Sequence, residues 1–148
     1  SRTNPPSPPR PEPAFPMRSG AARNPSPPNP EHAKMNTFAP HTAEGHAQVL
    51  PGISQKTLIF GEKTLMAEFR LQAGSQLPEH AHPYEQTGYL VAGHIRLRIG
   101  DDVQDVRPGD AWCIPMNAPH GAQIVADSIA IEVFAPRRDD YIPAVPQN

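Results

Sequence analysis

Apolar and polar residues alternate along several short stretches of the chain from about Lys56 onward. Residues 64–71 and 95–99 alternate with a period of two, which is typical of strands with one buried face. In the first stretch the apolar face carries Leu65, Ala67, Phe69 and Leu71. Further strands are predicted at 111–114, 121–126 and 128–134, with turns at 93–94, 100–102 and 107–110. Because no stretch has the periodicity of a long amphipathic helix, the pattern predicts an all-β sandwich or barrel.

The start of the chain differs from the remainder in composition. Eleven of the 21 prolines lie within residues 1–34, among few large apolar residues. Such a segment buries too little surface to offset the entropy lost on ordering. We therefore predict a disordered Pro-rich tail over residues 1–35 and one β-barrel domain over residues 36–148.

Charge and cysteine content limit the expected partners and compartment. The first 34 residues carry five basic and two acidic groups, whereas the rest carries eight basic and thirteen acidic groups. The folded part is therefore not expected to bind nucleic acid. No apolar run approaches the roughly 20 residues that span a bilayer, and no secretory signal is visible. Cys113 is the only cysteine, which favours a reducing compartment, so we expect a cytoplasmic protein with no membrane partner.

Three of the seven histidines form a candidate metal site. His80 and His82 are two residues apart, so on an extended strand they point to the same face, and Gln86 shares their parity. His120 follows a turn and can return on another strand to face the pair. Three imidazoles and an amide oxygen suit a divalent first-row metal and leave coordination positions for water or substrate. The alternative is that each is an ordinary surface residue or a hydrogen-bonded core residue.

Two motifs around these residues resemble the paired signature of the cupin family. The first is similar to G-x5-H-x-H-x3,4-E-x6-G and reads Gly74-x5-His80-x-His82-x3-Gln86-x6-Gly93. The second is similar to G-x5-P-x-G-x2-H-x3-N and reads Gly109-x5-Pro115-x-Asn117-x2-His120, with Ile124 in place of the final asparagine. The resemblance implies a jelly-roll barrel, the cupin double-stranded β-helix. It also implies one divalent transition metal (Zn, Ni, Mn or Fe) held by His80, His82, Gln86 and His120. Because glutamine replaces an anionic glutamate, a Lewis-acid role is favoured over redox iron chemistry.

Two further stretches resemble KdgF-type cupins. Residues 80–86 read HAHPYEQ, similar to HxHPHEQ, and residues 132–141 read EVFAPRRDDY, similar to D-x-F-x-P-x-R-x-D-[FY]. Those proteins convert 4,5-unsaturated uronate monosaccharides, the products of pectate or alginate lyases, into linear keto forms. The resemblance implies that Glu132 and Arg138 are catalytic and that Phe134 and Arg138 bind substrate. It also implies a sugar acid as the small-molecule partner, and a homodimer.

The residues themselves leave several alternatives open. Glu132 is one methylene longer than the aspartate of the motif, and three aliphatic residues of the same predicted strand lie on the opposite face, so either face can be the core. Alignment alone distinguishes Arg138 from the adjacent Arg137. Trp112 and Tyr89 are interpreted as packing residues, with Tyr89 alternatively at the pocket mouth. A non-catalytic sugar- or effector-binding cupin and a metal-dependent oxygenase are the rival functions, because fold does not fix function.

Overall fold

The computed structural model describes residues 36–143, which form one antiparallel sheet of eight strands. The strands are β1 (Ala47–Leu50), β2 (Ile53–Phe60), β3 (Leu65–Leu71), β4 (Gln76–His80), β5 (Glu85–Ile99), β6 (Asp102–Val106), β7 (Ala111–Ile114) and β8 (His120–Ala135). A single 3-10 turn, Asp139–Tyr141, follows β8. The predicted all-β class is confirmed. The predicted disordered tail, residues 1–35, lies outside the described residues. Over residues 36–143, no helix has both the length and the apolar character to cross a membrane.

Two long strands, β5 and β8, pair with each other along almost their whole lengths and organise the sheet. The second half of β8 pairs with β3, which continues to β2 and β1, and the first half of β5 pairs with β7. The first half of β8 pairs with β4, and the second half of β5 pairs with β6. Both long strands therefore belong to two regions of the sheet.

Irregular pairing in the middle of both strands marks the junction of the two regions. The register of β5 against β8 shifts three times between Leu90 and Ile95. Gly93 has a φ of +98°, and a Cβ atom at this position would lie 2.1 Å from Ser128 Oγ. The Ser128 hydroxyl in turn accepts a hydrogen bond from the His94 amide. Bulges of this kind bend a strand without ending it.

This junction corrects two of the predicted boundaries. The turn expected at residues 93–94 is a bulge inside continuous β5, and the strands expected at 121–126 and 128–134 are one strand, β8. Both predictions placed an interruption of regular strand pairing at the correct part of the chain, in the middle of β5 and in the middle of β8. The breaks are bulges because Gly93 packs against the backbone of Asp127 and the side chain of Ser128.

Apolar side chains from both regions meet in one core. The predicted inward row of β3 is confirmed, with Leu65, Ala67 and Phe69 buried and Leu71 packed against them. In β5, Ile95 and Leu97 are buried while the intervening arginine is exposed, as the alternation predicted. The core also includes Ile53, Leu90, Val106, Ile124, Ala130, Phe134 and Ile142. Full burial of one such large side chain stabilises the fold by about 1.5–3 kcal/mol.

Candidate metal centre

Three histidine rings lie together, and two of them, His80 and His82, line one cavity. His80 ends β4, His82 lies in the following loop, and His120 begins β8. The pairing of β4 with β8 places His80 opposite His120, and their ring centroids are 4.1 Å apart. One ring nitrogen from each histidine lies within 4.8 Å of the others. The grouping is compatible with a metal ion.

Burial keeps these imidazoles neutral. It lowers the pKa of His80 to about 3 and also lowers the pKa values of His82 and His120. A neutral imidazole retains one nitrogen lone pair, which is the form that binds a metal. The cluster therefore presents three potential donor atoms at neutral pH.

Backbone carbonyl groups orient two of the rings. His80 Nδ1 lies 2.9 Å from the Pro78 carbonyl oxygen, and His120 Nδ1 lies 2.9 Å from that of Ala118. When the Nδ1–H group donates to the carbonyl, the Nε2 lone pair remains available for a metal. The Nε2 atom of His120 is buried and has no hydrogen-bond partner among the described residues. Leaving such an atom unsatisfied costs about 1–3 kcal/mol, which a bound cation would remove.

Gln86 contributes a fourth polar group. Its Oε1 atom lies 2.9 Å from His82 Nε2, while His82 Nδ1 lies 3.2 Å from the Tyr84 carbonyl oxygen. A neutral imidazole has only one N–H, so one of these contacts sets two lone pairs against each other. A cation shared by Nε2 and Oε1 would resolve that conflict, so the residues present fit a metal. Gln86 is buried and Glu85 is exposed, as parity favoured, although the ligand role of Gln86 stays a prediction.

Glu132 faces the cavity. The face of β8 that carries Glu132 therefore points to the interior, and the face that carries the three aliphatic residues does not. Glu132 and Phe134 line the cavity together with Ala130, and the aliphatic residues between them lie on the other side of the sheet. Trp112 Nε1 donates a hydrogen bond to Glu132 Oε1 over 3.2 Å, and Gln86 also hydrogen-bonds to this carboxyl group. Burial raises the pKa of Glu132 to about 7. A carboxyl group with such a pKa can both accept and donate a proton at neutral pH.

Of the two adjacent arginines, Arg138 lines the cavity. It is buried, and its guanidinium carbon lies 4.0 Å from the ring centroid of Tyr141 and 5.3 Å from that of Phe134. These distances fit cation–π contacts. Arg137 does not line the cavity, and it donates to the carboxylate of Asp139 and to the carbonyl oxygen of Gly61.

Two aromatic residues of the site were not predicted to have a role there. Tyr141 packs against Arg138 and Phe134, and its place in the motif at 132–141 was the available signal. Trp112 was interpreted as a packing residue, but it lines the cavity and contacts Glu132. Tyr89 is exposed between the buried Gly88 and Leu90 of β5 and is not among the residues that line the cavity.

Comparison with known proteins agrees with the cupin resemblance. A family model described as a cupin domain matches residues 67–135. The chain contains a cupin domain. This cupin is 26% identical over 93 residues to the pectin degradation protein KdgF of Dickeya dadantii, in a match covering 62% of this chain and 84% of that protein.

Solved structures agree with this assignment. KdgF from Halomonas sp. superposes on the cupin with a TM-score of 0.67 at 29% identity, covering 70% of this chain and 98% of that one. An RmlC-like cupin from Shewanella frigidimarina NCIMB 400 gives a TM-score of 0.70 at 22% identity, covering 74% and 99%. The predicted cupin fold and the resemblance to KdgF are therefore confirmed.

Proposed function

We propose that this cupin holds a divalent transition metal and catalyses the ketonisation of 4,5-unsaturated uronate monosaccharides. The observation that carries the proposal is the grouping of three histidines beside a cavity that Gln86, Glu132 and Arg138 also line. The similarity to KdgF, a pectin degradation protein, supports this substrate class.

The metal would be held by His80, His82, His120 and Gln86. When bound, it supplies a Lewis acid that stabilises negative charge on the substrate carboxylate and the C5 oxygen. All four protein donors are neutral, so they leave the charge of the ion uncompensated. Such a centre favours an anionic substrate such as a uronate.

Arg138 binds the substrate carboxylate in this proposal. Its Nε atom donates to both carboxylate oxygens of Asp140, at 3.1 and 3.2 Å, and its planar face packs on Tyr141. These contacts fix the plane of the guanidinium group. A fixed guanidinium presents further N–H donors in the forked arrangement that matches a carboxylate. Phe134, beside it, packs against a face of the sugar.

Glu132 moves the proton. It takes the proton of the anomeric hydroxyl group, the bond between C1 and the ring oxygen breaks, and C1 becomes an aldehyde. The ring oxygen departs with the bonding electrons as the enolate oxygen at C5. Return of the proton to C4 gives the α-keto acid, so the reaction is a balanced isomerisation that needs no co-reactant. A carboxyl group that is held close to both positions suits this transfer.

The experiment that tests this function follows the ultraviolet absorbance of a 4,5-unsaturated galacturonate monomer. Wild type should accelerate the decay, and His120→Ala should leave only the slow spontaneous rate. The matched control is His94→Ala, because His94 contacts Asp105 outside the cavity. If metal-loaded wild type does not exceed the spontaneous rate, the ketonisation proposal is wrong. Oxygen uptake with iron and ligand binding without turnover would then be measured.

A further inference from the structure

Three residues form a row across adjacent strands beside the metal centre. Gly88 in β5 pairs with Trp112 in β7 on one side and with Glu132 in β8 on the other. Side chains in such a row point to the same face of a sheet. Trp112 and Glu132 are therefore separated by a residue that has no side chain.

Because Gly88 has no side chain, the indole ring of Trp112 can lie across β5, the middle strand of the three. A Cβ atom at position 88 would lie 2.1 Å from Cε2 and 2.3 Å from Nε1 of Trp112. Gly88 is not among the glycines with positive φ, so backbone geometry does not require glycine at this position. The requirement is steric, because the ring lies directly over the Gly88 backbone. From this position Trp112 Nε1 reaches Glu132 Oε1.

We propose that Trp112 is a positioning residue that fixes the Glu132 carboxylate for proton transfer, and that Gly88 is needed to make this contact possible. The inference rests on the proposed function of the same site. Glu132 has one more rotatable bond than an aspartate, so its carboxylate has more positions available and loses more entropy when it is fixed. The indole N–H donates to one carboxylate oxygen, and Gln86 also hydrogen-bonds to this carboxyl group.

The kinetic test uses Trp112→Phe in the full chain, which keeps an aromatic ring but removes the N–H donor. We expect kcat to fall on the order of 10-fold, as the loss of one hydrogen bond to a charged group implies. The KM value should stay within about twofold, because Arg138 binds the substrate carboxylate. Metal content is measured for each variant and should be unchanged.

A double-mutant cycle separates positioning from a general packing effect. The shorter side chain in Glu132→Asp cannot reach the indole, so Trp112→Phe should change kcat by no more than about twofold in that background. Independent effects that multiply in the double mutant would overturn the proposal. Gly88→Ala, which forces the ring off the strand, should reproduce the kcat loss of Trp112→Phe.

A second readout does not depend on turnover. Trp112 is the only tryptophan of the chain, so intrinsic fluorescence reports on this ring alone. Glu132→Ala should change the emission spectrum, whereas Glu85→Ala, which removes an exposed carboxylate on the outer face of the same sheet, should not. An active wild type with unchanged emission in Glu132→Ala would overturn the positioning role alone. An inactive wild type would overturn the proposed function and, with it, any catalytic consequence of the contact.

Discussion

Two neighbouring residues, Arg137 and Arg138, have the same chemistry but different surroundings. Each pairs with an exposed aspartate, but Arg138 lines the cavity against Tyr141 and Phe134, whereas Arg137 lies outside it and donates to the Gly61 carbonyl. Substitution of each by lysine keeps the charge and removes the planar fork. The comparison therefore tests the geometry of the group instead of its charge.

We predict that Arg138→Lys raises the KM for an unsaturated uronate on the order of 10-fold or more, because a point charge replaces a forked pair. Arg137→Lys should leave KM within about twofold. Steady-state kinetics on both variants check this, with thermal unfolding to verify that each is folded. Equal KM values in the two variants would contradict the role of Arg138.

Two glycines with nearly the same backbone conformation offer a test of local packing. Gly93 and Gly109 have φ values of +98° and +96°. A Cβ atom at Gly93 would overlap Ser128 and Asp127, while one at Gly109 would meet no atom within 4 Å. An alanine at either position would have the same backbone strain, but only at Gly93 would the added methyl group overlap other atoms.

Gly109→Ala should lower the free energy of unfolding by about 1–2 kcal/mol, the cost of the left-handed conformation. Gly93→Ala should cost more than this, by about 1–3 kcal/mol, because the strands must also move apart at the bulge. Urea denaturation of both variants measures the difference. Equal losses would mean that β5 and β8 accommodate the methyl group without strain.

At the scale of secondary structure elements, the metal centre joins parts of the chain that are far apart in sequence. Its donors lie in three parts of the chain: the end of β4 with the loop that follows it, the start of β5, and the start of β8. A cation bound by all three would stabilise the folded state, since the unfolded chain does not hold these groups together.

We predict that metal addition to chelator-treated protein raises the midpoint of thermal unfolding. At an ion concentration of one hundred times Kd, the stabilisation is about 2.7 kcal/mol. His120→Ala should lose the shift and His94→Ala should keep it. A shift of the same size in His120→Ala would contradict the site, because that variant lacks the orphaned Nε2 atom.

The strands also show how much of the structure could be predicted from the sequence. The inward faces of β3 and β5 follow from alternation, which is a local property. The continuity of β5 and β8 does not, because Gly93 forms a bulge only through its contact with β8. The motifs singled out His80, His82 and His120, whose ring nitrogens lie within 4.8 Å of one another. The contact of Trp112 with Glu132 depends on the register of three strands, and no local pattern encodes that register.

At the scale of the whole molecule, one part of the outer face of the long strands, around Tyr89 and Ile131, is apolar. Tyr89 and Val91 are nearly half exposed there, and Tyr89 pairs with Ile131 of β8. The homodimer and the cytoplasmic location inferred from the sequence stay predictions. A second copy of the chain on this face would cover the aliphatic side chains that the cavity does not use.

Ile131→Asp should therefore shift the protein from dimer to monomer, because a carboxylate would be buried in the shared face. The control is Val103→Asp, a substitution of comparable polarity at a 41% exposed position on β6. Sedimentation equilibrium of wild type and both variants gives the masses. A monomeric wild type, or an unaffected Ile131→Asp, would contradict an interface on this face.

The sharing of β5 and β8 between the two sheet regions has a consequence for engineering. Neither region can be exchanged on its own, since the same two strands, β5 and β8, run through both. New chain termini or inserted domains belong instead at the periphery, for example at the Gly100 turn between β5 and β6, where an added Cβ would meet no atom within 4 Å. A circular permutant opened at Gly100 should keep all eight strands, whereas one opened inside β8 should lose both regions together.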